Sequence, residues 1–102
     1  MSMVAEQPLY LLAIIKARPE LAGEAERHLR ELMAATRNEP GNVYMELVVS
    51  EDEPGTWFMF EKFNSRAEWD AHMTTSHVVD GNAALSGLLL EPTVLRFFTE
   101  KP

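Results

Sequence analysis

The sequence has no cysteine. That removes disulfides, thiolate catalysis, iron–sulfur clusters and cysteine-bound zinc from consideration, and it suits a reducing cytoplasm, the expected location. Basic residues are scarce: Lys plus Arg is 9 against 16 for Asp plus Glu, a net charge of −7. Nucleic acids and anionic membrane surfaces recruit basic proteins, so neither is an expected partner. No apolar run approaches the roughly 20 residues of a membrane span. The first residues lack the basic-then-apolar order of a signal peptide. The five glycines are scattered, with no phosphate-cradling glycine loop and no Gly-x-Ser-x-Gly elbow, so no nucleotide, flavin or other cofactor is expected.

What remains is a chain of 102 residues, 46% hydrophobic and 25% charged, which is the size and composition of one domain. Residues 1–8 are expected to form a flexible leader, residues 9–99 the domain and residues 100–102 a tail. Leu9 to Ile15 is a short apolar run bounded by Pro8 and Pro19, which predicts a strand with both faces apolar. Pro19 fits a first helical turn. After it, Leu21, Ala25, Leu29, Leu32, Met33 and Thr36 recur at three- and four-residue steps, predicting an amphipathic helix that ends near Asn38. His28 sits at the edge of this stripe and suggests no role. Glu39-Pro40-Gly41-Asn42 is a turn cluster. Val43–Val49 and Thr56–Phe63 form a hairpin across the polar turn 50–55. Ser65 with Glu68 three residues on is a capping box for a second helix. Thr74-Thr75-Ser76 interrupts it, a further helical stretch runs from His77 to Leu90, and Thr93–Thr99 is a last strand.

The order strand, helix, strand, strand, helix, strand predicts an α+β, ferredoxin-like βαββαβ fold, a four-stranded antiparallel sheet with helices on one face. Helices on one face leave the other uncovered. The first and third strands are nonetheless apolar on both faces, and Leu95 and Phe97 stand opposite Val94 and Phe98 in the fourth. An exposed apolar sheet of that size predicts a homodimer through the sheet face, with Phe58 and Phe60 facing the partner.

Residues 57–77 hold the candidate site. Glu61 is the one charged residue on its strand face, beside Trp57, Met59 and Phe63. A carboxylate in apolar surroundings costs free energy, and its pKa tends to rise. His72 lies on the following helix, on the face turned to the sheet with Trp69 and Met73. A carboxylate that holds one imidazole nitrogen leaves the other free as a base. Glu61 and His72 are therefore either a catalytic pair or a structural pair closing the helix on the sheet. His77, five residues after His72, would point roughly 140° away on a continuous helix, unless the Thr74-Thr75-Ser76 break redirects it. Glu61, His72 and His77 follow no established metal-ligand spacing, and no metal is expected.

Arg37-Asn38-Glu39-Pro40-Gly41, Met45-Glu46-Leu47, Phe60 through Ser65, Glu68 through Met73 and Ser76-His77, in this order, resemble the antibiotic biosynthesis monooxygenase (ABM) domain family. The resemblance spans about residues 9–98. It implies a dimeric α+β barrel with a pocket between sheet and helices in each subunit. It also implies oxidation of a quinol or polycyclic phenol by molecular oxygen without metal or flavin. On this resemblance His72 and Glu61 are the catalytic residues, and Trp57, Met59, Phe63, Trp69, Met73 and His77 contact a small aromatic or quinol-like substrate. The chain departs from the pattern in three places. Met45 replaces a common strand tyrosine, Tyr44 facing the other way; Asn42 replaces a small residue or cysteine; Phe63 replaces a tryptophan. The haem-degrading branch of the fold carries a histidine where this chain has Asn82, so a haem role is disfavoured. Two further functions fit the same pocket: a dimeric, non-catalytic small-molecule-binding or stress-response module, and a non-oxidative isomerase or cyclase.

Overall fold

The computed structural model describes residues 6–102, so most of the expected leader lies outside the described residues. Four strands and three helices follow in the order β1 (Leu9–Lys16), α1 (Ala22–Thr36), β2 (Asn42–Val49), β3 (Thr56–Phe63), α2 (Arg66–His72), α3 (Ser76–Ser86) and β4 (Val94–Thr99). The strands form one antiparallel sheet in the order β2-β3-β1-β4. This is the ferredoxin-like α+β arrangement, with the second helical region divided in two. Among the described residues no helix is long and apolar enough to cross a membrane.

Local chemistry explains each boundary that shapes the site. Pro19 opens a single 3-10 turn, Pro19–Leu21, and Ala22, where α1 begins, donates back to the Pro19 carbonyl. Proline costs nothing in a first turn because that N–H has no helical partner anyway. Along α1, Ala25, Leu29 and Thr36 are buried, four and seven residues apart on one stripe. The outer face carries the pairs Arg27–Glu31 and Arg30–Glu26 at i,i+4, which at such exposure add only a few tenths of a kcal/mol each (about 0.3–0.5).

The Ser65 hydroxyl accepts from the Glu68 N–H at 3.2 Å and starts α2. Thr75 then does two jobs. Its hydroxyl donates to the His72 carbonyl at 2.7 Å and accepts from the Val78 N–H at 3.4 Å. One side chain thus ends α2 and caps α3, and the helical direction changes between His72 and His77. The helical stretch expected to reach Leu90 stops at Ser86, with Gly87 as its cap. Glycine loses more backbone freedom than any other residue in a helix. Beyond it the chain runs beside the end of β1 instead: Arg18 donates to the Leu88 carbonyl, and Leu90 donates to the Lys16 carbonyl.

Strand alternation sorts the sheet into two faces. Leu9, Leu11, Ala13 and Ile15 of β1, Met45 of β2, and Trp57, Met59, Glu61 and Phe63 of β3 are buried beneath the helices. Tyr44 points to the opposite, exposed face, as its displacement by one residue from Met45 requires. On β4 every residue is exposed, including Leu95 and Phe97 on the helix-covered side. The helices therefore stop short of that edge, and a cavity opens there.

Candidate functional site

The cavity has a volume of about 570 Å³. Its floor is the inner sheet face, with Leu11, Ala13, Ile15, Met45, Met59, Glu61 and Leu95. Its walls come from Leu29 and Leu32 of α1, Trp69, His72 and Met73 on and after α2, and Val78, Asn82 and Leu85 of α3. The segment Leu89–Thr93 forms the rim. Trp69 is fixed at the β4 side by an edge-to-face contact with Phe97, ring centroids 5.0 Å apart, a geometry in which the positive ring edge meets the negative face.

Of the residues expected to contact a substrate, Met59, Trp69 and Met73 line this cavity, as do Glu61 and His72. Trp57, Phe63 and His77 do not. Trp57 packs into the main core with Ile15, Ala25 and Leu29. Phe63 is fully buried with its ring 4.9 Å from that of His72, so it supports the imidazole from behind. His77 stands outside the cavity wall but close to His72, ring centroids 6.1 Å apart.

The expected pairing of Glu61 with His72 is not what the fold builds. The acid that holds His72 is Glu39, 33 residues earlier in the chain. Its Oε2 accepts from His72 Nδ1 at 2.8 Å and from His77 Nε2 at 2.5 Å. The placement follows from the turn after α1. Glu39 N–H caps the helix on the Thr36 carbonyl, Asn42 closes the turn on the Glu39 carbonyl, and the Asn64 N–H donates to Gly41 O at 2.9 Å. That last bond pins the turn to the end of β3, where α2 begins. Gly41 is needed for so close an approach: a Cβ there would lie 2.6 Å from the Cβ of Glu68. The signal was present in the Glu39-Pro40-Gly41 motif, but a turn cluster alone does not disclose that its acid reaches across to another helix.

With its Nδ1–H committed to Glu39, a neutral His72 carries its lone pair on Nε2. That nitrogen has no hydrogen-bond partner among the described residues, and the His72 side chain lines the cavity. A carboxylate, an imidazole locked in one tautomer and a free ring nitrogen beside an apolar cavity make a proton-accepting site. Glu39, His72 and His77 are also the group among the described residues whose donor atoms lie close enough to share a metal ion, all within 4.8 Å. One Glu39 oxygen accepts from one nitrogen of each imidazole.

Glu61 lies between Leu11 on β1 and Met45 on β2, its direct cross-strand neighbours. It is only 6% exposed, and its oxygens, which accept no hydrogen bond from the described residues, keep a small accessible area, whereas Thr36 Oγ1 is the side-chain atom among those residues that is fully buried and unpartnered. Burial, and secondarily the negative charge of Glu39, raises its pKa from 4.5 to about 7. The desolvation dominates because nothing around the carboxyl replaces water.

A sheet with helices on one face, an apolar cavity between them and a carboxylate-held imidazole in its wall defines a ferredoxin-like pocket protein. The chain belongs to the Antibiotic biosynthesis monooxygenase family, whose sequence profile matches residues 8–84. Solved structures agree in fold. PA3566 from Pseudomonas aeruginosa is 27% identical, with a TM-score of 0.87 over 94% of this chain and 96% of that one. Rv0793 from Mycobacterium tuberculosis is 25% identical, with a TM-score of 0.89 over 93% and 96%. A putative antibiotic biosynthesis monooxygenase from Caulobacter crescentus, 23% identical, superimposes with a TM-score of 0.89 over 95% and 92%. No curated protein matches the chain in sequence.

Proposed function

We propose that this protein is a cofactor-independent monooxygenase that oxidises a quinol or polycyclic phenol with molecular oxygen. The observation that carries the reading is the His72 imidazole, held through Nδ1 by Glu39, with Nε2 unengaged, in the wall of an apolar cavity. Family membership supports it, and the cavity volume suits a ligand of two or three fused rings.

In this mechanism His72 Nε2 takes the proton of a bound phenolic hydroxyl. The resulting phenolate is electron-rich enough to pass one electron to dioxygen. Superoxide and the phenoxyl radical then combine to form a carbon–oxygen bond and a hydroperoxide. Loss of water leaves a quinone. One oxygen atom enters the product and the other leaves as water, and the substrate supplies all four electrons. The protein contributes a base, orientation and a cavity from which water is largely excluded. Glu39 keeps the imidazole in the right tautomer and steadies the imidazolium that forms, a role that Glu61 was expected to fill. The assembly acts as a homodimer through the exposed sheet face, in the cytoplasm.

The test is oxygen uptake with a panel of naphthalenediols and anthracenols. Wild type should consume oxygen and yield products heavier by one atom of labelled oxygen. Removing a general base costs roughly 10²–10⁴ in rate, so His72→Ala should lose at least 100-fold in kcat/KM. A correctly folded wild type that oxidises none of the panel refutes the oxygenase reading. A ligand-stabilised but inert protein would instead identify a binding module.

A further inference from the structure

The charges around the cavity constrain what can enter it. Among the described residues its lining includes two carboxylates, Glu61 and Glu91, and no lysine or arginine. The nearby cations are engaged elsewhere. Arg37 donates to the Met45 carbonyl and to Glu46 on the far side of β2. Arg66 lies over the rings of Trp69 and Phe97 and pairs with Asp70. Lys16 reaches only Glu91 at the rim, at 3.6 Å. Deeper in, Glu61 is set among Leu11, Met45 and Met59; its carboxyl takes part in no hydrogen bond with the described residues, and its oxygens keep a small accessible area at the cavity. A carboxyl engaged by no protein donor and poorly reached by water is an open acceptor, and a ligand donor that reaches it supplies the missing hydrogen bond. A ligand anion placed there would meet like charge in a medium that screens poorly.

We infer that Glu61 is the specificity-determining group of this cavity: it accepts a hydrogen bond from a hydroxyl or ammonium group on an otherwise apolar ring system, and the cavity rejects ligands bearing a carboxylate, sulfate or phosphate. The inference rests on reading this cavity as the ligand site, and not on any oxidation taking place there. His72 and Glu61 then have separate tasks. The imidazole handles the proton of the reacting hydroxyl, and the carboxyl selects and orients the ring that carries it. Polar selection of this kind discriminates more sharply than apolar fit, because the wrong ligand leaves the protein's own group unpaired.

Four probes of one shape test it by calorimetry at pH 8 on the intact protein: 2-naphthalenemethanol, 2-naphthylmethylamine, 2-methylnaphthalene and 2-naphthoate. The alcohol and the amine should bind roughly tenfold or more tightly than the hydrocarbon, and the carboxylate should bind weakest. Glu61→Gln should cost the amine roughly tenfold while strengthening the carboxylate, and Glu61→Leu should bring the hydrocarbon level with the alcohol. Naphthoate binding as tightly as the alcohol would overturn the inference. So would an unchanged order in both variants, or no binding by any probe at millimolar concentration. None of the probes is a phenol, so the outcome does not depend on oxygen chemistry. Failure to oxidise naphthalenediols would leave it standing, and its failure would leave oxidation open.

Discussion

At the scale of single residues, Glu61 has a consequence for stability as well as for binding. Its carboxyl has a pKa of about 7 in the folded chain against 4.5 without the fold's influence. Below pH 4.5 the group is protonated in both folded and unfolded states and contributes nothing. Between pH 4.5 and about 7 the unfolded chain ionises while the native chain keeps its proton. The unfolded state therefore gains relative to the native one as pH rises, and the loss is complete above the folded pKa. The gap corresponds to on the order of 3 kcal/mol. Glu61→Gln removes the ionisation, so its melting temperature should match wild type near pH 4.5 and exceed it by roughly 10–20 °C at pH 8. Thermal unfolding of both proteins across this range measures it, and parallel curves would show that the native carboxyl ionises freely. The apolar setting of Glu61 was legible in the sequence because strand alternation puts Met59 and Phe63 on its face. The partner of His72 was not. Sequence proximity pointed to Glu61, 11 residues away, whereas the carboxylate in contact belongs to Glu39, brought in by a backbone bond from Asn64 to Gly41.

Among the elements, the ones written in side-chain periodicity were legible and the ones decided by backbone fit were less so. β3 runs from Thr56 to Phe63 as its alternation predicts. The end of α3 was harder, because apolar residues continue past Ser86 and only Gly87 and the pairing of Leu88–Leu90 with the end of β1 stop it. The turn after α1 is the clearest case of backbone fit. Gly41 packs on Glu68, and an added Cβ would lie 2.2–2.7 Å from three Glu68 side-chain atoms, one of them its Cβ. Rotating the Glu68 side chain does not move that atom, so the turn or α2 itself must shift. Overpacking of this kind costs about 1–3 kcal/mol. Gly41→Ala should lower stability by that amount and, by displacing Glu39, depress activity on any substrate found. Gly23, inside α1, has nothing within 4 Å of its own Cβ position. Gly23→Ala should therefore stabilise, by about 0.5–1 kcal/mol. Chemical denaturation of the two variants decides the matter: if Gly41→Ala is as stable as wild type, the turn is not pinned against α2.

For the whole molecule, the open question is what covers the sheet. Tyr10, Leu12, Ile14 and Phe58 on the face away from the helices are only half-buried, and Phe60 and Phe98 there are 45% and 48% exposed. Two copies packed face to face about a two-fold axis would bury this surface on both at once. Phe60 is the residue to test, since β3 and β1 are the central strands and Phe60 and Glu61 are neighbours on opposite faces. A glutamate at 60 would sit directly across from Glu46 on β2, confounding assembly with cross-strand repulsion. Phe60→Lys faces the Glu46 carboxylate, already held by Arg37, at the same position, so the fold should survive while the interface gains from each copy a buried ammonium whose desolvation that shared carboxylate offsets only in part. The variant should sediment as a monomer where wild type sediments as a dimer. It should also lose most oxygen uptake, because β3 carries the cavity floor on its other face. A monomeric wild type at micromolar concentration would remove the dimer from the proposal. A fully active Phe60→Lys monomer would show that each cavity works alone.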